Sequence, residues 1–125
     1  MRKAQQTRSL VAAWFDFLPP DDLATAQAIH KAIRGVEPDL TEAIRQGNLL
    51  LSLHGEPLLG IAPGHHHVQL LIFNGHELEP VLGPLDGVAK RQRQVRFPSG
   101  RPVDAAQVEM IARVSVEQAR RHQSP

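Results

Sequence analysis

The spacing of apolar residues changes at Gly47, and that change limits the fold more than any other feature of the chain. Before Gly47, apolar residues recur every three or four positions, the period of a helix with one buried face. After it come short apolar runs separated by turn residues, which read as strands joined by hairpins. A helical pattern returns at the end. Helices, then strands, then a helix imply an α+β sandwich with helices packed on one face of an antiparallel sheet. At 125 residues the chain is long enough for one domain around one core.

Leu10, Val11, Trp14, Phe17 and Leu18 lie at helical spacing, so a helix is expected over about residues 8–18. Residues 1–8 are polar and are read as a flexible N-terminus ahead of a single domain at 9–122. Trp14, the one tryptophan, is the expected anchor of this helix. Pro19-Pro20 stops it and starts another, with Asp21 and Asp22 in the first turn where the helix dipole favours acids. Ala26, Ile29, Ile33 and Val36 form its apolar face, and Pro38 closes it. Asp39 and Glu42 match a capping box, which predicts a further short helix ending at Gly47.

Asn48–Leu53 and Pro57–Ala62 read as strands joined through His54-Gly55-Glu56. His65–Phe73 alternates, and both its faces turn apolar after Gln69, so it is expected to be a central strand. Residues 74–80 read as a turn with at most one helical turn. A glycine loop and a basic strand follow. Asp104 and Gln107 then open the last helix, whose buried stripe is read as Ala106, Met110, Ile111 and Val114.

Several functions read poorly. Without cysteine there is no disulfide, thiolate nucleophile or Cys-based metal site. The serines lie in no nucleophile elbow, and no H-E-x-x-H motif is present, so a non-catalytic domain is expected. A net charge of +1 gives no global pull toward nucleic acid or membrane, and the basic stretch has only Phe97 to stack on a base. No apolar run reaches the roughly 18 residues of a membrane span. The basic N-terminus lacks a signal-peptide core, and a cytoplasmic location is expected.

What stands out locally is charge. From Lys90 to Arg101 there are five bases and no acid. On a strand, Arg91, Arg93 and Val95 share one face, and Gln92, Gln94 and Arg96 the other. Lys90, Arg91, Arg93 and Arg96 are therefore the expected site for a small anionic ligand or an acidic protein partner. The competing structural reading is an edge strand protected by charge. Strand alternation also brings His65 and His67 to one face, a partial metal site that needs a third ligand such as His54 or Glu56. Asp21, Asp22, Glu37, Asp39 and Glu42 form a thin acidic series, each member also explained by a helix terminus. The apolar content of both faces of His65–Phe73 invites a homodimer through an uncovered sheet face.

The order and spacing of these pieces resemble a known family. Leu18-Pro19-Pro20 before the long helix, Glu37–Gly47 into the first strand, His67-Val68-Gln69-Leu70, the glycine loop with Lys90, Val95-Arg96-Phe97 and Asp104 carry the match, over roughly residues 10–120. Together they resemble the YdhG-like domains of unknown function, small bacterial proteins similar in structure to frataxin. The resemblance implies a frataxin-like sandwich with N-terminal helices, central strands and a C-terminal helix. It also implies an alternative function: one branch of the family is linked to iron delivery through an acidic surface. No resident cofactor is expected, with iron or another divalent metal as the candidate. The sequence departs from the family pattern at Gln46 and Asn48-Leu49, where relatives carry an aromatic before the glycine and Met-Pro after it.

Overall fold

The structure is a computed structural model that describes residues 2–123, with side chains from residue 7 onward. Among the described residues, four helices and five strands follow the order α1 (Arg2–Asp16), α2 (Pro20–Val36), β1 (Thr41–Arg45), β2 (Asn48–Leu53), β3 (Glu56–Pro63), β4 (His67–Ile72), α3 (Gly75–Leu82), β5 (Arg93–Pro98) and α4 (Ala105–Gln123). The strands form one antiparallel sheet in the order β1-β2-β3-β4-β5. The fold is therefore the expected α+β sandwich, with β4 an interior strand. No helix among the described residues is long and apolar enough to cross a membrane.

The core lies between the helices and one face of this sheet. α2 contributes Ala26, Ile29 and Ile33, all fully buried, as the three-and-four spacing requires. Alternate residues of the strands meet them: Leu49 and Leu51 from β2, Leu59 and Ile61 from β3, Val68, Leu70 and Ile72 from β4. Pro20 occupies the first turn of α2, where its missing N–H costs nothing. α4 opens on Asp104, whose carboxylate accepts from the Gln107 backbone N–H at 3.3 Å.

Several local expectations are corrected. α1 begins at Arg2, inside the segment read as a flexible N-terminus; Met1 lies outside the described residues. The capping-box segment is not a helix but β1, an edge strand. Gln46 and Gly47 both take positive φ, 53° and 80°, so they form the two-residue turn that matches the twist of paired strands. A helix of so few residues is marginal alone, whereas β1 gains a full ladder against β2. The Trp14 indole N–H donates to the Gly47 carbonyl at 2.8 Å, so α1 is pinned to this hairpin.

Residues 75–82 form a two-turn helix, α3, instead of a turn. Its start presses on β5: a Cβ on Gly75 would come within 2.4 Å of the Arg93 Cβ. The stripe of α4 keeps the expected Ile111 and Val114 but not the expected Ala106 and Met110. Val108, Ile111, Ala112, Ser115 and Ala119 are buried, while Met110 is 49% exposed and Ala106 is exposed too. Counting in fours from Ala106 missed the better three-and-four series that starts at Val108.

Candidate functional site

The four bases of the candidate anion site are separated by the fold. Lys90 and Arg91 lie ahead of β5, both exposed, so strand alternation does not apply to Arg91. Within β5 it does apply. Arg93 pairs with Ile72, Val95 with Leu70 and Phe97 with Val68, which puts them on the helix-covered face. Arg96 pairs with Gln69 and so belongs to the opposite, open face. Arg93 and Arg96 thus stand on opposite sides of the sheet.

Arg93 already has partners. Its Nε donates to Glu79 Oε1 at 2.9 Å, and its Nη1 donates to the carbonyls of Ala89 and Gln92 at 2.6 and 2.8 Å. The second oxygen of Glu79 accepts the Leu85 backbone N–H at 3.2 Å. That backbone bond, then the Arg93 hydrogen bond, hold the Glu79 carboxyl below the usual carboxylate range. Arg93 and Glu79 together tie α3, the glycine loop and β5 into one unit. Arg93 thus serves the fold through these bonds, and Arg91, ahead of β5, does not share a strand face with it.

The histidines do not take the expected arrangement either. β4 begins at His67, so His65 and His66 belong to the loop before it. His66 has φ 64°, which breaks the alternation meant to bring His65 and His67 to one face. The His67 ring, through Nδ1, lies 2.9 Å from the His65 carbonyl oxygen, and the rings of His65 and His66 lie 3.9 Å apart. Among the described residues no group of three or more His, Asp or Glu side chains is placed to hold a metal ion.

Three of the five acids of the helix ends are engaged by the fold, while Asp21 and Asp39 stay exposed. Asp22 accepts from the Ser99 hydroxyl, and Glu37, buried at the end of α2, pairs with Arg120 and accepts the Asp39 backbone N–H at 3.2 Å. Glu42 points from β1 into the helix layer. Its Oε2 lies 2.9 Å from His30 Nε2, and its Oε1 lies 3.7 Å from Arg34 Nη1. Partial burial alone would push the Glu42 carboxyl up. The hydrogen bond and charge of His30, with the charge of Arg34, outweigh it and hold the group below its ordinary value.

Two features organise the rest of the surface. The first is the open sheet face, which no helix among the described residues covers; an uncovered face was expected from His65–Phe73, but not the residues that β1 and β5 place on it. The register aligns Ala43, Leu50, Gly60, Leu71 and Gln94 in one row across it. The next row runs from Arg45 and Asn48 through Gln69 to Arg96. The strand residues of this face that carry a full charge are Arg45 and Arg96, both exposed. Asp86 bridges to Gln94 at the outer edge of the first row. The second feature is a cleft between α1, α2 and β1, with the Glu42 carboxylate in its wall. Alternation of Thr41, Ala43 and Arg45 against Glu42 and Ile44 was the available signal for both. The capping-box reading concealed it.

No protein-family model and no curated protein matches the chain. Among solved structures, it is similar to YdhG of Bacillus subtilis, a protein from the DUF1801 family, with a TM-score of 0.70 and 14% identity over 90% of this chain and 93% of that one. At that identity the likeness is one of fold: this chain has the architecture of a DUF1801 domain.

Proposed function

We propose that the chain is a non-catalytic binding domain that docks an acidic protein partner on its open sheet face. The observation that carries the reading is the pairing of a partly apolar sheet face, covered by no helix among the described residues, with arginines as its charged strand residues. Leu50 and Leu71 occupy the middle, and Arg45 and Arg96 stand on the two edge strands. Neighbouring strands lie about 4.8 Å apart, so four steps separate the two arginines by roughly 19 Å. No single phosphate or carboxylate spans that distance, which favours a macromolecular acidic surface over a small anion. Lys90 and Arg91, exposed ahead of β5, extend the positive character beyond the sheet edge. The half-buried Phe73 is the aromatic side chain beside Leu71, too little stacking surface for nucleic acid. The non-catalytic part rests on the absence of cysteine and of a recognised nucleophile motif. Metal handling is less favoured, because the described residues gather no ligand set.

The test uses a glutamate-rich peptide as probe, titrated by NMR at low and at physiological salt. Shifts confined to β1, β2, β4 and β5 residues of the open face, weakening with salt, are expected. Arg45→Glu with Arg96→Glu should abolish them, whereas Arg113→Glu on α4 should not. Equal loss in both variants, or shifts scattered over the helices, would refute the reading.

A further inference from the structure

The cleft at the α1–β1 corner has a volume of about 560 Å³, within the range of small-molecule sites. Its apolar side is Val11 and Ala12 from α1 with Leu40 before β1. Its polar side is Arg8 from α1, Arg34 from α2 and Glu42 from β1. The two sides come from α1, α2 and the segment of β1, and Trp14 ties α1 to the β1–β2 turn through its bond to Gly47.

The carboxylate in this wall is half used. Glu42 Oε2 is bound to His30, but Oε1 has Arg34 at 3.7 Å, beyond hydrogen-bond length. Glu42 lines the cleft and its neighbours favour its ionised form, so Oε1 is an acceptor there with Arg34 near it but beyond hydrogen-bond length. Arg34 spends one N–H on the Leu40 carbonyl and keeps others in its planar fork. Arg8, exposed on α1, adds a second positive charge at the rim. An acceptor beside a cationic fork calls for a ligand with a donor next to a carboxylate. The apolar side calls for an aliphatic tail on the same molecule.

We infer that this cleft binds a small aliphatic α-amino acid or 2-hydroxy acid. The carboxylate lies against Arg34 and Arg8, the α-ammonium or hydroxyl donates to Glu42 Oε1, and the tail covers Val11, Ala12 and Leu40. This site is separate from the open sheet face and stands or falls independently of it.

The experiment is calorimetry on the full chain with three probes of one shape: L-leucine, 2-hydroxy-4-methylpentanoate and 4-methylpentanoate. The third lacks the donor. The first two are expected to bind, and the third at least about tenfold more weakly. Arg8→Ala, an exposed change that leaves the core alone, should weaken the first two about tenfold. Glu42→Gln should weaken leucine more than the hydroxy acid, because the amide still accepts a hydrogen bond but no longer attracts an ammonium. Should Glu42→Gln fail to fold, Arg8→Ala and the three-probe series still decide. Equal affinity for all three probes, binding unchanged in Arg8→Ala, or no heat from any probe at about 10 mM would each overturn the inference.

Discussion

Replacing Arg93 by alanine separates a structural arginine from a binding one. The side chain is 17% exposed, and its Nη1 serves two backbone carbonyls, those of Ala89 and Gln92. A typical hydrogen bond contributes about 1 kcal/mol net. The part-buried bond to Gln92, a smaller share from the exposed bond to Ala89, and the packed stem against Gly75 together suggest a loss of about 2 kcal/mol. The contact with Glu79 is open to water and is left out of that figure. Unfolding entropy of about 2.1 cal/mol/K per residue over 125 residues converts 1 kcal/mol into roughly 4 °C. Arg93→Ala should therefore melt about 8 °C lower than the parent. Arg96→Ala, on the open face, should stay within about 0.5 kcal/mol. Urea unfolding followed by the fluorescence of Trp14, together with calorimetric melting, measures both. An Arg93→Ala protein as stable as Arg96→Ala would refute the assignment, and would return Arg93 to the exposed basic group that the sequence suggests.

Two further predictions concern the cleft corner. Trp14→Phe keeps most of the buried ring but removes the donor to Gly47, so about 1–3 kcal/mol should be lost. Protease cleavage within α1 should become faster than in the parent, and unchanged stability would argue against the pinning role. Glu42 has a folded pKa below its unfolded value, so its contribution is complete above the ordinary carboxylate range and disappears as pH falls through the lower folded value. The stability gap between the parent and Glu42→Gln, read from urea midpoints between about pH 7 and pH 3, should therefore narrow in acid. A constant gap would refute the electrostatic account.

α2 was legible because Ala26, Ile29 and Ile33 meet a sheet, and burial preserves the helical period in the sequence. The N-cap of α4 at Asp104 was legible because capping is a bond between near neighbours. The segment from Asp39 to Arg45 was misread because its capping signal is also local, and only the pairing of Thr41–Arg45 with Asn48–Ser52 overrides it. The basic run was misread as one patch because alternation within a strand does not say where the strand begins. β5 starts at Arg93, and what lies over that residue is α3, a helix expected only as a turn.

Sequence alone thus determined the α+β class, the helix–strand–helix order, an interior β4 and a dense basic segment. These follow from periodicity, turn residues and composition, which are properties of neighbouring positions. Tertiary structure decided which face of the sheet the helices cover, and with it the fate of every charge on β1 and β5. It set Arg93, half-buried, under α3 beside Glu79 and left Arg96 in line with Arg45 on the open face. It also brought Glu42, His30 and Arg34 to one corner. Those contacts join residues far apart in the chain, and the chain must close around its core before any of them exists.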